Sequence, residues 1–385
     1  MKSASLFAPF QLGGQELANR VVMAPMTRTR TSPGDVPNEL MAKYYGQRAS
    51  AGLIISEATD VAPHSKGYLW TPGIYNDEQV RGWKLVTDSV HRNGGKIFQQ
   101  IWHVGRMSHT SLMPDGQQPW GVTDEQAVGS DVFAHGSDGR LTFVRASKPR
   151  QIGTEEMPAL LDDFERAFRN AGEAGFDGIE LHAANGYLFE QFMNSTLNTR
   201  TDHYGGQNFE NRTRFLLEVV DLAAGIFGAG RIGIRLSPFG HYNSIPADPH
   251  GEDTFFYLCR ELDRRGVGYI HLLYQLLPSG NMEQVTRFEE TNLPDAFVKK
   301  VREEFRGGII WCGSFSRESA EQALATGMVD MIAFGRPFVG NPDLVARFKN
   351  NWPLVEADRS AYYTRNGEIG FTDFPNFNPH SAEVD

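Results

Sequence analysis

The stretch GIELHAAN at residues 178–185 is a short apolar run that closes on small and polar residues, and seven further runs share its pattern. They are RVVMAPMT (20–27), GLIISEAT (52–59), KIFQQIWH (96–103), RIGIRLSP (231–238), GYIHLLY (268–274), GIIWCGS (308–314) and DMIAFGR (330–336). Strands that are apolar along nearly their whole length, instead of alternating, are typical of a parallel sheet covered on both faces.

Amphipathic helical patterns lie between these runs. They span residues 77–93, 160–174, 209–227, 253–265, 294–305 and 316–326, and the last opens with Ser316 as a starting residue. Eight strands alternating with helices, joined by right-handed crossovers, predict an α/β fold of the (β/α)8 TIM barrel type.

A doubly wound nucleotide-binding sheet is the alternative fold, and one motif favours it. Residues 228–233 read GAGRIG, which matches G-x-G-x-x-G. That motif binds a pyrophosphate only when a strand precedes the glycines and a helix follows them. Here a helical pattern precedes and a strand pattern follows, so the motif is rejected.

The chain has 385 residues, more than the roughly 250 of a typical barrel. The interval after the third strand is about twice the others, which predicts an insertion near 104–150 that folds over the barrel mouth. Residues 6–19 predict a β-hairpin turning at Gly13 and Gly14, a plug under the barrel. With a C-terminal tail at about 355–385, the prediction is a single domain over 1–385.

Composition excludes several classes of protein. The 37 Lys and Arg against 47 Asp and Glu give a net charge of −10, which argues against nucleic-acid and anionic-membrane partners. The two cysteines cannot form an iron–sulfur or disulfide framework, and no apolar window reaches the length of a membrane span. We therefore expect a cytoplasmic location. His103 and His109 lack a third convergent ligand, so no metal is predicted.

Two glycine turns end the last two predicted strands. Gly313 and Ser314 follow the seventh strand, and Gly335 and Arg336 follow the eighth. In TIM barrels these loops commonly bind phosphate, through exposed backbone N–H groups and a cationic side chain. The pair of turns predicts a phosphate-bearing cofactor.

The fourth strand ends in a cluster of hydrogen-bonding side chains, His182, Asn185 and Tyr187. His182 and Asn185 can hold one oxygen together and stabilise the charge that develops on it. The Tyr187 phenol is protonated at pH 7 and can deliver a proton. Only Glu57 stands at a strand end as a carboxylate, which excludes a two-carboxylate glycosidase. The cluster suits reduction of an activated double bond.

Several longer strings carry a family resemblance. IELHAANGYLFEQFMNSTLNTRTDHYGG (179–206), NRTRFLLEVV (211–220), NRVVMAPMTR (19–28), FQQIWHVGR (98–106) and AFGRPFVGNPDL (333–344) closely resemble the old yellow enzyme family of flavin-dependent ene-reductases. Within that family the chain is similar to bacterial reductases of N-ethylmaleimide, xenobiotics and nitrate esters. The resemblance runs from about Leu6 to Pro375.

The resemblance implies FMN, bound non-covalently at the barrel mouth, with NADPH or NADH as hydride donor. It places the flavin ring against Pro25, Met26, Thr27, Ala58, Gln100, His182 and Arg235, and the phosphate at Gly313, Ser314, Gly335 and Arg336. His182 and Asn185 would hold the substrate's oxygen, and Tyr187 would protonate its α-carbon. The implied pocket walls are Tyr68, Trp102, Tyr274 and Tyr363.

The implied reaction is a ping-pong reduction of enones, nitroalkenes and maleimides, and the implied substrate range extends to nitrate esters or nitroaromatics. The implied enzyme is a monomer or homodimer. Two alternatives stay open: another FMN barrel of the dihydroorotate or 2-hydroxy-acid type, and a non-catalytic barrel that binds flavin and phenols. Many members of the resembled family carry His where this chain has Asn185, and the Leu273-Tyr274 turn also departs from their pattern. Both differences bear on the range of ligands.

Overall fold

The computed structural model describes residues 5–273, 293–363 and 365–379. All eight predicted strands are present as β1 (Val21–Met23), β2 (Leu53–Ile55), β3 (Ile97–Trp102), β4 (Gly178–Ala183), β5 (Ile232–Leu236), β6 (Tyr269–Leu273), β7 (Gly308–Cys312) and β8 (Met331–Phe334). Each strand pairs in parallel with the next one along the chain. Because β8 also pairs with β1, the sheet closes into the predicted barrel.

The helices form the outer layer of the barrel. The longer ones are α1 (Glu39–Gln47), α2 (Asp77–Arg92), α3 (Met157–Glu173), α4 (Phe209–Phe227), α5 (Gly251–Arg265), α6 (Asp295–Glu304), α7 (Arg317–Ala325) and α8 (Leu344–Asn350), and two short helices, Leu188–Met193 and Arg336–Gly340, lie in the loops after β4 and β8. The six predicted helices are confirmed, and Ser316 caps α7 by accepting the backbone N–H of Ser319. The sequence reading missed α1 and α8, which have nine and seven residues and are too short to show a clear helical period.

The rejected glycine motif lies where the sequence reading placed it. Helix α4 ends at Phe227, a short 3-10 turn follows, and β5 begins at Ile232. A helix therefore precedes these glycines and a strand follows them, so they do not form a nucleotide-binding turn.

The N-terminal hairpin closes the bottom of the barrel. Strands Phe10–Leu12 and Gln15–Leu17 pair antiparallel, and Leu12 and Leu17 are buried among side chains that fill the barrel interior. The turn at Gly13 has φ +54°, and a Cβ there would meet the carbonyl oxygen of Gly230, just before β5. The predicted plug is confirmed, and its turn needs glycine both for its conformation and for this close approach.

The long insertion follows β3 and includes an antiparallel hairpin, Asp131–His135 with Leu141–Arg145. The backbone N–H of Leu69, in the loop after β2, donates to the carbonyl of Phe133 at 3.1 Å. The hydroxyls of Ser130 and Ser244, the latter in the loop after β5, lie 2.7 Å apart. The insertion therefore contacts loops at the carboxyl ends of the strands. No helix within the described ranges has the length and apolarity needed to cross a membrane.

Candidate active site

The carboxyl ends of the barrel strands bring the predicted cofactor side chains to one rim, the usual catalytic end of this fold. Pro25, Met26 and Thr27 follow β1, Ala58 follows β2, Gln100 lies on β3, and Arg235 lies on β5. Pro25, Ala58, Gln100 and Arg235 are buried, whereas Met26 and Thr27 are partly exposed. The rim is therefore a largely enclosed surface.

His182, Asn185 and Tyr187 lie together where β4 ends. Asn185 has φ +60°, a left-handed conformation that asparagine tolerates better than most residues. Across the described part of the chain, neither Nδ1 of His182 nor Oδ1 of Asn185 has a hydrogen-bond partner, although both atoms are buried. Buried polar atoms are normally paired, so both atoms are candidates for contact with a bound molecule.

Protonation states in this cluster follow from burial. Burial raises the pKa of Tyr187 well above its ordinary value of 10, and the nearby phenols of Tyr68 and Tyr242 act in the same direction. Burial also lowers the pKa of His182 well below 6.5, helped by the charge of Arg235. Around neutral pH the cluster thus holds a protonated phenol and a neutral imidazole.

Aromatic rings surround the cluster. The phenol oxygens of Tyr187 and Tyr68 are 3.2 Å apart. The Trp102 ring meets that of Tyr187 edge to face with centroids 4.9 Å apart, and lies nearly parallel to the imidazole of His182 at 6.1 Å. Two predicted pocket-wall residues, Tyr68 and Trp102, therefore lie beside His182 and the predicted proton donor Tyr187.

The barrel floor beneath the rim is polar. Glu180 on β4 is fully buried and accepts hydrogen bonds from Gln100 at 2.7 Å, Tyr269 at 3.1 Å and His271 at 2.8 Å. Because the Gln100 amide nitrogen donates to Glu180, its oxygen stays available as an acceptor. Nε of Arg235 is buried without a partner in the described ranges, and its Nη2 lies 3.8 Å from the Cys312 sulfur.

The two glycine turns meet beside this floor. Nη2 of Arg336 lies 3.4 Å from the hydroxyl of Ser314, so the loops after β7 and β8 adjoin, as the phosphate prediction requires. A side chain at Gly335 would lie directly against Met26, with its Cβ 3.5 Å from the Met26 sulfur. Glycine therefore keeps the space between this turn and the rim open.

Two predicted wall residues differ from the rest. Tyr363 belongs to the C-terminal tail and is 53% exposed, although its phenol adds to the effect of burial in raising the pKa of Tyr68. Tyr274 lies outside the described residues. The structure thus brings Tyr68 and Trp102 to the cluster and leaves Tyr363 at its margin.

Sequence reasoning missed the residues that hold the turn after β4. The Glu190 carboxylate accepts the backbone N–H of Gly186 at 2.6 Å and the hydroxyl of Ser237 at 3.1 Å. The Ser237 oxygen in turn accepts the backbone N–H of Asn185 at 2.8 Å. Glu190 lies on a short helix, Leu188–Met193, whose six residues are all buried. A carboxylate among apolar residues was the one signal in the sequence that could have identified it.

The chain is similar to proteins of a known family over nearly its whole length. Residues 5–354 match the NADH:flavin oxidoreductase / NADH oxidase family. The chain is 43% identical over 373 residues to 12-oxophytodienoate reductase 1 of Oryza sativa subsp. japonica, covering 96% of this chain and 92% of that relative. This chain belongs to that family.

Solved structures of similar chains also identify the old yellow enzyme family. Morphinone reductase in complex with tetrahydroNAD superimposes with a TM-score of 0.90 at 45% identity, covering 98% of each chain. The old yellow enzyme homologue from Zymomonas mobilis gives 0.87 at 38% identity, covering 97% of this chain and all of that one. The predicted family is confirmed. This old yellow enzyme family member is an FMN-dependent NAD(P)H oxidoreductase that reduces activated carbon–carbon double bonds of small molecules.

The rim residues fit FMN. Three buried polar atoms without partners in the described ranges, on His182, Asn185 and Arg235, converge on the rim of strands β4 and β5. A flavin ring offers carbonyl and ring-nitrogen acceptors to Arg235, and a substrate oxygen above it would accept hydrogen bonds from an imidazole N–H of His182 and the side-chain amide N–H of Asn185. The donor set is therefore the one that a flavin and an oxygen-bearing substrate need.

Glu190 makes the stability of this enzyme depend on pH. Burial raises the pKa of Glu190 from 4.5 to about 7, against the opposing hydrogen bonds from Gly186 and Ser237. Between these two pKa values the folded state keeps a proton that the unfolded state releases. The contribution of Glu190 to the free energy of unfolding is therefore complete below about pH 4.5 and is lost as the pH rises through 7. We expect Glu190→Gln to gain stability relative to the parent by on the order of 1 kcal/mol per pH unit between about pH 5 and 7.

Urea unfolding of both proteins at pH 5, 6, 7 and 8 measures this difference. Glu252→Gln, at an exposed position, is the matched control for the loss of one carboxylate. Parallel stability curves for Glu190→Gln and the parent would contradict the expectation.

Proposed function

We propose that this chain reduces α,β-unsaturated carbonyl and nitro compounds in two half-reactions at one site, with Tyr187 as the proton donor. One observation carries the proposal. A protonated phenol stands beside two side chains, His182 and Asn185, whose buried polar atoms have no partner in the described chain. The substrate's carbonyl or nitro oxygen would accept hydrogen bonds from the His182 imidazole and from the amide N–H of Asn185, and Tyr187 would then face the α-carbon beside it.

The rim residues hold the cofactor in this proposal. Pro25, Met26, Thr27 and Ala58 would lie along the flavin ring, and Thr27 would donate to a ring carbonyl. Gln100 would offer its amide oxygen to the pyrimidine end, because Glu180 holds the amide nitrogen. When bound, FMN would supply the hydride chemistry between NADPH or NADH and the β-carbon of the substrate.

Charge at the floor supports that arrangement. Arg235 would bring a buried guanidinium to the N1 edge of the flavin, where it would favour the negative charge of the reduced ring. Gly313, Ser314, Gly335 and Arg336 would bind the phosphate through backbone N–H groups and the Arg336 side chain. These two turns and the Arg336 cation would thus hold an anion on a protein whose net charge is −10.

Substrate size and shape are set by the aromatic wall in this proposal. Tyr68 and Trp102 would form it around an oxygen held at His182 and Asn185, with Tyr363 at its margin; the predicted wall residue Tyr274 lies outside the described residues. The relatives named for 12-oxophytodienoate and morphinone support a ketone-bearing substrate. We extend the proposed substrate range to maleimides, nitroalkenes, nitrate esters and nitroaromatics. We also propose that the enzyme is cytoplasmic, forms one domain over 1–385 and is a monomer or homodimer.

Measuring the two half-reactions separately distinguishes this function from the two alternatives. Mixing the FMN-loaded protein with NADPH or NADH without oxygen should bleach the flavin absorbance, and 2-cyclohexenone should then restore it. Bleaching without recovery on any enone, maleimide or nitroalkene would favour another FMN barrel chemistry. Failure of both nicotinamides to bleach the flavin would favour the non-catalytic binder.

A further inference from the structure

Asp60 has no part in the chemistry described above, yet it is a buried carboxyl beside the substrate wall. It lies on a two-residue strand, Thr59–Asp60, that pairs with the end of β3 and sets Asp60 opposite Trp102. Both residues are at most 2% exposed. Burial is the largest influence on Asp60 and raises its pKa from 3.8 to about 7. Burial disfavours the charged form of this carboxyl, so a specific role for Asp60 must offset the free energy that its burial costs.

The two oxygens of Asp60 have separate partners. Oδ1 accepts the indole N–H of Trp102 at 2.7 Å, and Oδ2 accepts the hydroxyl of Thr71 at 2.8 Å. The indole contact is as short as a charge-assisted hydrogen bond. An indole has a single N–H donor, so this bond determines which way the plane of the Trp102 ring faces.

The orientation of that plane matters because Trp102 contacts the proposed substrate residues. Its ring meets Tyr187 edge to face at 4.9 Å and lies nearly parallel to His182 at 6.1 Å and to Tyr68 at 6.0 Å. A rotated indole would move toward one of these rings and away from another. The space between them would then accept molecules of a different shape.

We propose that Asp60 is a positioning residue that fixes the Trp102 indole and thereby determines which substrates fit between His182 and Tyr68. The proposal rests on the function proposed above, since it concerns the substrate wall of that site. An apolar residue at 60 leaves the indole N–H buried without an acceptor, which favours reorientation of the ring toward a new partner. The hydrogen bond between the Tyr187 and Tyr68 hydroxyls involves neither Asp60 nor the indole N–H.

The test uses the FMN-loaded full chain, with Asp60→Leu, Asp60→Asn and Thr71→Val. In ¹⁵N-tryptophan spectra, which contain six indole signals, Trp102→Phe identifies the Trp102 signal. We expect Asp60→Leu to shift that signal upfield and to change the kcat/KM ratio between 2-cyclohexenone and a fused-ring enone about tenfold. The FMN content and the flavin absorbance spectrum should stay at parent values, because the side-chain partners of Asp60 are Trp102 and Thr71.

Matched variants separate positioning from a general structural role. Asp60→Asn keeps an oxygen acceptor and should restore both the indole signal and the substrate ratio. Thr71→Val removes the hydroxyl that donates to Asp60 and lies 3.1 Å from the Tyr68 carbonyl, and it should leave the indole signal at its parent position. In a Trp102→Phe background, Asp60→Leu should have no further effect on the ratio, because the indole through which it acts is gone.

The results that overturn the proposal are equally specific. An FMN-loaded Asp60→Leu protein with an unchanged indole signal or an unchanged substrate ratio would refute it, as would an undiminished effect in the Trp102→Phe background. Asp60→Ala carries the same expectations if the leucine variant does not fold. Failure of the proposed function differs from all of these, because the parent protein itself would then reduce no enone.

Discussion

Tyr187→Phe should slow reoxidation of the reduced enzyme by 2-cyclohexenone between about a hundredfold and ten-thousandfold, the range typical of a lost general acid. Reduction by NADPH or NADH should keep its parent rate, because only the second half-reaction needs the phenol proton. Phenylalanine preserves the ring contacts with Trp102 and His182 and removes one hydroxyl. Anaerobic stopped-flow absorbance measures the two half-reactions separately.

Tyr68→Phe is the matched control for this experiment. It removes the hydroxyl that lies 3.2 Å from the Tyr187 oxygen and leaves the proposed acid in place. Its effect on enone turnover should be far smaller than that of Tyr187→Phe. Burial keeps the pKa of Tyr187 well above 10, so the parent rate should show no loss from ionisation of this phenol between pH 6 and 9. Equal slowing of both half-reactions by Tyr187→Phe would assign the proton donor elsewhere.

The barrel could be predicted because burial on both faces leaves a strong mark on the sequence. A strand such as β4 is buried from Gly178 to Ala183, and its run is apolar except at Glu180 and His182. Glu180 interrupts that run, and His271 interrupts β6 in the same way. A charged residue inside a buried strand indicates a polar partner inside the barrel, but the sequence does not identify that partner. Only the closed sheet shows that Glu180 and His271 bond to each other.

The cluster after β4 could be predicted because its three side chains lie within six residues of one another. The contacts that support it could not, since each crosses between loops distant in sequence. Ser237 reaches Asn185 across 52 positions, and Trp102 reaches Asp60 across 42. Such pairs depend on how the strand ends meet around the barrel, and a single sequence holds no local pattern for them.

Asn185 provides the second large effect. Its amide can donate to a substrate oxygen, and in transition states loss of one such donor costs about a hundredfold to a thousandfold in rate. Asn185→Asp keeps the size of the side chain and tolerates the left-handed backbone at φ +60°, but it replaces the donor with a carboxylate. We expect enone turnover to fall by at least about a hundredfold and binding of phenols to weaken.

Asn185→His is the matched control because histidine also tolerates a left-handed backbone and restores an N–H donor. Since burial and Arg235 keep His182 neutral, the oxygen is held by neutral donors, and the histidine variant should recover most of the turnover lost with Asp. Steady-state kinetics and titration with a para-substituted phenol measure both effects. Undiminished turnover and phenol affinity in Asn185→Asp would mean that the oxygen lies elsewhere, since a carboxylate cannot donate to it at neutral pH.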